Sequence, residues 1–306
     1  ELKEVKPTIF SAVPRLYENI FKKVKKKLVY SGKIKKLVFN LMFEYIAYKN
    51  ENKMSNILGK LLVKILISKK VKSIFGGRVK ALISGGAALN PEIGSFFNKI
   101  GFCLLQGYGQ TEASPLISCN TKSYNDPMTV GFPVKNVEVK ISNQNEILVR
   151  GKNVMIGYWK NKKLTAKTLR NGWLHTGDLG FFDKTGRLII NGRKKELIVT
   201  SGGDNISVQR IENILTEQVE INQAVIFGDN KPFLIALIHI DEKLNESKIE
   251  SILRKINRRL NSIERIRKYI LLKKPLTYQD GFLTQTQKIK KKMVFSHFKN
   301  DIEKLY

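Results

Sequence analysis

Between Asn171 and Ile211 the chain reads N-G-W-L-H-T-G-D-L-G-F-F-D-K-T-G-R-L-I-I-N-G-R-K-K-E-L-I-V-T-S-G-G-D-N-I-S-V-Q-R-I. It sets a carboxylate, Asp178, at one tight glycine turn and a guanidinium, Arg193, at a second, with the glycine-rich loop Ser201-Gly202-Gly203-Asp204-Asn205 soon after. These residue types at two loops suit the grip of a ribose. A carboxylate accepts from two hydroxyls, and a guanidinium donates to ring and phosphate oxygens. His175 lies in the same run, but the sequence supplies neither an acidic orienting partner nor a nucleophile for a general base, so a structural role is expected. His239 and His297 fall on strand and helix patterns and are expected to be incidental.

The elements that must position these groups are legible in the apolar periodicity. From Leu2 to about Lys72 apolar residues recur at helical spacing (Ile20, Val24, Leu28; Leu37, Leu41, Tyr45) with lysines on the other face. Five lysines between Lys22 and Lys27 beside Phe21, Leu28 and Tyr30 fit either an amphipathic core helix or a membrane-surface helix, and the core helix is the expectation. From Val79 to Glu112 short apolar runs end in glycines around a helix opened by Asn90-Pro91. This predicts a parallel α/β sheet with functional loops at the carboxyl ends of its strands. Alternation in V-E-V-K-I, E-I-L-V-R-G and R-L-I-I-N-G predicts a small antiparallel β subdomain over 129–192. Beyond Arg193 the pattern gives a strand at Glu196–Thr200, a helix N-capped by Ser207, and strands Gln223–Gly228 and Phe233–Ile240 around an Asp-Asn-Lys-Pro turn. A strand at Tyr269–Leu272 and helices over Glu242–Asn261 and Ile289–Tyr306 complete it.

Four further stretches join the opening run in a resemblance that spans nearly the whole chain. They are P-T-I-F-S-A-V-P-R-L-Y (Pro7–Tyr17), S-G-G-A-A-L (Ser84–Leu89), G-Y-G-Q-T-E (Gly107–Glu112) and L-T-Q-T-Q-K-I-K (Leu283–Lys290). Together they resemble the AMP-forming long-chain fatty acid–CoA ligases of the adenylate-forming superfamily. The resemblance implies an α/β fold: a partial large domain over 1–192, comprising the parallel sheet and the β subdomain, a hinge at 193–195, and a small mobile α+β domain over 196–306. It further implies that Gly85, Gly86 and Ala87 lie against adenine, with Gln106, Gly107, Tyr108 and Gly109 completing the nucleotide site and Tyr108 stacking on the base. Thr111 would bond the α-phosphate, and Glu112 would help hold Mg²⁺, a hard ion suited to carboxylate oxygen. Asp178 would take both ribose hydroxyls, and Arg193 the ribose and phosphate end. Lys195 would be the hinge, and Gly203 would border the channel for the pantetheine arm of CoA. Lys288 would be the catalytic lysine, bridging the acyl oxygen and the α-phosphate during adenylation.

The activity so implied is ATP-dependent conversion of a fatty acid to acyl-AMP and transfer to CoA, with AMP and pyrophosphate released. The Ser/Thr/Gly-rich triphosphate loop that the resemblance calls for, and any G-x-x-x-x-G-K-[ST] loop, are absent from the sequence. With the start at Glu1, this leads to the expectation of a C-terminal portion of a longer enzyme, inactive in adenylation alone. Val208, Gln285 and Gln287 depart from the usual family residues in ways that bear on loop stiffness more than chemistry. A ligase that loads an acyl carrier protein, and a non-catalytic basic module binding membrane or nucleic acid, are the alternatives.

Composition bounds the reading. The 306 residues are 42% hydrophobic and carry a formal net charge of +29, enough for two cored domains and for attraction to polyanions. The lysines are spread along the whole chain, so surface bias is the expected source of most of that charge. No nucleic acid partner is expected, and peripheral association with anionic membrane is a subsidiary expectation. The two cysteines, Cys103 and Cys119, have neither metal-site nor disulfide-scaffold spacing. Leu58–Ser68, the longest apolar stretch, is broken by Lys60 and Lys64, well short of the ~20 residues a span needs. A cytoplasmic location, with association at the inner membrane face, is the corresponding expectation.

Overall fold

The computed structural model describes residues 1–29, 67–240 and 246–306, and the predicted helical positions Leu37, Leu41 and Tyr45 lie outside them, as does Tyr30. The chain divides into two compact units, 1–190 and 191–306. In the first, α1 (Leu2–Val5) leads to β1 (Ile9–Ala12), α2 (Pro14–Val29), α3 (Lys69–Ile74), β2 (Ala81–Ser84), α4 (Pro91–Lys99) and β3 (Leu104–Gly109). β1 corrects the expectation of unbroken helical structure before Lys72. Pro7 and Pro14 bracket the segment and bias the residues before them away from the helical region, and β-branched and aromatic residues fill it. β1, β2 and β3 pair in parallel, as predicted. Beyond them β4 (Leu116–Cys119) and β5 (Phe132–Pro133) continue the sheet antiparallel.

α4 starts as its sequence dictates. The Asn90 side chain accepts from the Glu92 backbone N–H at 2.8 Å and Pro91 occupies the first turn, where its missing N–H costs nothing. The helix buries Phe96 and Phe97, which meet Tyr17 and Phe21 of α2 edge-on, at 5.5 Å for Tyr17–Phe97 and 4.9 Å for Phe21–Phe96. Phe21 therefore serves the core, as expected of an amphipathic core helix. The Tyr17 hydroxyl donates to the Ile83 carbonyl at 2.9 Å and fastens α2 to β2.

The second sheet has the order β10-β9-β7-β6: β6 (Val137–Ile141), β7 (Glu146–Gly151), β9 (Trp173–Phe182) and β10 (Leu188–Arg193). A short helix, α5 (Lys162–Thr168), leads into β8 (Leu169–Arg170), which pairs with β9. Its β6–β7 and β7–β9 pairs are antiparallel, the arrangement that the alternating pattern predicts. Ile147, Val149, Leu174 and Leu188 pack with Ala113, Ile117 and Val130, so the two sheets of this unit share one core.

In the second unit the expected strand at Glu196–Thr200 is shorter. A single 3₁₀ turn covers Lys194–Glu196, and β11 (Leu197–Val199) pairs antiparallel with β12 (Asn205–Ser207). α6 (Val208–Thr216) begins after Ser207 as predicted, but the serine hydroxyl donates to the Asn191 carbonyl at 2.9 Å rather than to the helix. A three-stranded sheet follows: β13 (Ile221–Phe227) and β14 (Leu234–Ile240) antiparallel, and β15 (Ile266–Leu272) parallel to β14. β15 begins three residues before the expected strand, because Ile266 finds a partner in Leu234. Both sheet faces are covered. Ala224, Ile226, Ala236 and Ile238 pack on α6 and α7 (Glu246–Asn257), whereas Val225, Ile235 and Leu237 pack on the side of α8 (Lys291–Glu303). At a bulge in β13 the buried Gln223 side chain accepts from Leu276 N–H at 2.7 Å and donates to its carbonyl at 2.9 Å.

Candidate active site

The loop after β2 lies beside the second half of β3, since Ser84 and Gln106 are register partners. Gly85 and Gly86 follow β2 directly, and Gly85 faces the carbonyl of Gly107 on β3. Ser84 Oγ and Gln106 Oε1 are buried and take no protein hydrogen bond among the described residues, leaving hydrogen-bonding capacity beside this loop that the protein itself does not use. After Tyr108 the chain folds tightly back. Gln110 N–H donates to the Pro115 carbonyl at 2.8 Å, Ala113 N–H to the Gln110 carbonyl at 2.9 Å, and Thr111–Ala113 makes one 3₁₀ turn ending in a left-handed Ser114. Only glycine fits at 109, where a Cβ would lie 1.8 Å from the Pro115 carbonyl oxygen.

Two of the residues read as nucleotide ligands meet. The Tyr108 hydroxyl donates to Asp178 Oδ2 at 2.8 Å across 70 residues of sequence. Asp178 itself is buried on β9, and its N–H donates to Thr176 Oγ1 at 3.1 Å. The turn before it is held by Glu146, the first residue of β7, whose Oε1 accepts from Gly177 N–H at 3.0 Å. The same carboxylate corrects the reading of His175. Glu146 Oε2 lies 3.4 Å from its Nδ1, an acidic neighbour that the sequence did not reveal, while Arg170 donates to that nitrogen at 2.8 Å. A nitrogen receiving a guanidinium N–H is an acceptor, so the ring is held in place, which is the structural role expected.

Glu112, four residues past Tyr108, points its Oε1 at the Tyr158 hydroxyl, 2.8 Å away. Burial, and then this carboxylate, push the Tyr158 phenol above its ordinary value, so it stays protonated and donates. Met155 N–H donates to the Glu112 carbonyl at 2.8 Å, and the Asn153 amide donates to the carbonyls of Ala113 and Leu116 at 2.9 and 3.1 Å. The segment 153–158 thus braces the Thr111–Glu112 turn from one side.

The second unit carries the other predicted residues. Arg193 ends β10, Lys195 sits in the 3₁₀ turn after it, and Gly203 lies in the β11–β12 loop with φ +86° and open space around its Cα. Lys288 stands on a tight hairpin. Thr284 N–H donates to the Lys288 carbonyl at 2.8 Å, Lys288 N–H donates to Thr284 Oγ1 at 3.0 Å, and Leu283 bridges Ile289. Gln287 takes the left-handed position at the tip, φ +64°.

The profile of the AMP-binding enzyme family matches residues 1–159, and that of the AMP-binding enzyme C-terminal domain matches residues 195–306. The chain belongs to the AMP-binding enzyme family. Among its relatives, the long-chain-fatty-acid–CoA ligase FadD15 of Mycobacterium tuberculosis is 33% identical over 98% of this chain and 55% of its own length. Long chain acyl-CoA synthetase 4 of Arabidopsis thaliana is 31% identical over 100% of this chain and 52% of its own. The chain thus spans about half the length of the curated relatives it matches. The adenylation domain of a Mycobacterium chelonae carboxylate reductase shares the fold, with a TM-score of 0.74 at 20% identity over 100% of this chain and 47% of that one. So does the A-PCP didomain of the Segniliparus rugosus carboxylic acid reductase, solved with AMP, with a TM-score of 0.72 at 21% identity over 98% and 42%.

Within this member of the AMP-binding enzyme family, sequence reasoning missed Tyr158 and Glu146 as supports of the motif residues. Glu146 had a signal, an acidic residue directly before the apolar run Ile147–Val149. Tyr158 had none, because a tyrosine beside Trp159 reads equally well as packing.

Proposed function

We propose that this chain carries the AMP-gripping and acyl-transfer parts of an ATP-dependent fatty acid–CoA ligase. The observation that carries the reading is the 2.8 Å hydrogen bond from Tyr108 to Asp178, which joins the residue read as the adenine platform to the residue read as the ribose anchor. One carboxylate oxygen is thereby oriented by protein. The relatives at about 30% identity, a long-chain-fatty-acid–CoA ligase and a long chain acyl-CoA synthetase, support fatty acid, ATP and CoA as the substrates.

In the first half-reaction a fatty acid carboxylate oxygen attacks the α-phosphorus of ATP and pyrophosphate leaves. In the second, the thiolate of CoA attacks the acyl carbonyl, AMP leaves, and the thiol proton goes to solvent. Thr111 donates to the α-phosphate, and the ammonium of Lys288 offsets the charge that builds between the acyl and phosphate oxygens. Glu112 fits a part in holding Mg²⁺: Tyr158 engages its Oε1, and no group of three or more His, Cys, Asp or Glu gathers among the described residues. One carboxylate plus substrate phosphates is how Mg²⁺ is usually held, and the ion supplies charge neutralisation on the phosphates. Rotation of the second unit about Lys195 would exchange Lys288 for the Gly203 loop between the two steps.

In the full-length protein, fatty acid-dependent ATP–pyrophosphate exchange is the test. Lys288→Ala is expected to lower exchange by at least about 100-fold, while thioester formation from supplied acyl-AMP is largely kept. Equal loss of both steps overturns the role of Lys288, and absence of fatty acid-dependent exchange in the unaltered protein overturns the activity. The 306 residues alone are expected to bind AMP without supporting exchange, since the triphosphate loop is not among them.

A further inference from the structure

The hairpin that carries Lys288 runs into α8, and the first residue of that helix, Lys291, enters a buried ion pair. Its Nζ lies 2.9 Å from Oε1 of Glu212 on α6, with the two side chains only 28% and 15% exposed. The same Oε1 accepts from Ile226 N–H on β13 at 2.9 Å. Glu196, the last residue of the turn that holds Lys195, adds its negative charge to the surroundings of this carboxyl. Burial and Glu196 raise the proton affinity of Glu212, while Lys291 and the Ile226 N–H oppose them. One side chain therefore touches the base of the lysine hairpin and the central sheet, and lies within the field of the turn at the hinge position. Lys290 N–H, donating to the Phe282 carbonyl at 2.8 Å, transmits the placement of Lys291 to the hairpin one residue away.

We propose that Glu212 is a positioning residue for adenylation: through Lys291 it fixes the start of α8, and with it the direction in which the hairpin presents Lys288. A buried ion pair adds little stability over an apolar pair of the same volume, yet it fixes direction, which an apolar contact does not. Three adjacent cations, Lys290, Lys291 and Lys292, follow the hairpin, and a carboxylate that forms an ion pair with the second sets which way the first turn of the helix faces. The inference rests on Lys288 as the adenylating lysine.

The test uses the full-length protein and both half-reactions. Glu212→Gln keeps the shape and the acceptor for Ile226 N–H but removes the charge, and Lys291→Met removes the pair from the other side. Each is expected to lower kcat for pyrophosphate exchange by about 10- to 100-fold, the scale of an ångström of misplacement. KM for ATP and thioester formation from supplied acyl-AMP should stay within about threefold on the same reasoning. On a Lys288→Ala background neither substitution should cost anything more, because residues acting as one unit are not additive. Equal loss in both half-reactions, or failure of both variants to fold by circular dichroism, makes the pair merely structural and overturns the proposal. Unchanged exchange in both, with Lys288→Ala inactive, overturns it as well. If Lys288→Ala itself exchanges normally, the underlying reading of the lysine fails, and the proposal falls for that separate reason.

Discussion

Gly109 and Gly85 lie within the Gly107–Glu112 and Ser84–Leu89 motifs, and the structure separates what each does. At Gly109 an added Cβ would lie 1.8 Å from the Pro115 carbonyl oxygen, where ordinary contact begins near 3.4 Å, so the 110–115 turn must yield by 3.4 − 1.8 = 1.6 Å. That turn holds Thr111 and Glu112, closed by the Gln110–Pro115 and Ala113–Gln110 hydrogen bonds, so the displacement passes to both. Overpacking of this kind costs about 1–3 kcal/mol of stability, and an ångström-scale shift of reacting groups costs about 100-fold in rate. At Gly85 the nearest atom to an added Cβ is the Gly107 carbonyl at 3.8 Å, ordinary contact, and its φ lies outside the left-handed region. Gly109→Ala is therefore expected to lose both melting temperature and pyrophosphate exchange. Gly85→Ala should melt as the unaltered protein does, within about 0.5 kcal/mol, yet bind AMP more weakly by calorimetry. Calorimetry with AMP and thermal melts on the same samples separate the two. A Gly109→Ala protein that melts and exchanges normally would refute the steric reasoning, and a Gly85→Ala protein that binds AMP normally would remove this loop from the nucleotide site.

Tyr108→Phe keeps the ring in the core but removes one donor from the buried Asp178; a hydrogen bond to a charged group is worth about 1.5–3 kcal/mol, so a loss of that order in denaturant unfolding with weakened AMP binding is expected. Unchanged stability and binding would refute it. Phe97→Ala, at a fully buried ring meeting Tyr17, Phe96 and Phe102 edge-on, should cost about 3–5 kcal/mol in urea unfolding followed by a probe in the first unit. Glu212 gives a pH signature. Its carboxyl holds a proton more tightly folded than unfolded, so its contribution is complete below the ordinary glutamate range and is lost as pH rises through the raised value. The unaltered protein should therefore lose stability relative to Glu212→Gln as pH rises; a gain relative to that variant with rising pH would refute the assignment.

The elements legible in sequence are those whose local and tertiary demands agree. Asn90-Pro91 announces a helix and caps one, and the alternating valines and isoleucines of 137–151 form an antiparallel pair. β1 escaped because four residues are too few to show a period against the helical pattern that follows. At the site, the motif residues were singled out by the family resemblance, and local backbone geometry explains one of their residue types, glycine at 109 packed against Pro115. Their supports were not. Glu146 reaches Gly177 across 31 residues, Tyr158 reaches Glu112 across 46, and nothing in either local sequence names the partner. His175 shows the same limit, since its acidic neighbour lies close in space and distant in sequence, although the structural role expected of it stands.

A strand buried on one face is kept in register by polarity, because a slip of one residue would bring its polar side chains inward. β13 and β14 lack that safeguard, for Ala224, Val225 and Ile226 are all buried, on alternating faces. A slipped pairing would merely exchange the contents of two apolar layers. What distinguishes the native alignment is Gln223, whose amide recognises both backbone groups of Leu276 from the bulge. A single buried amide thus acts as the index mark of the sheet. Replacing it with leucine would add apolar surface while erasing one of the polar contacts, alongside the Ile226 N–H bond to Glu212, by which the chain tells correct from shifted pairing, and the expected outcome is a mixture of folded forms rather than a weaker single fold.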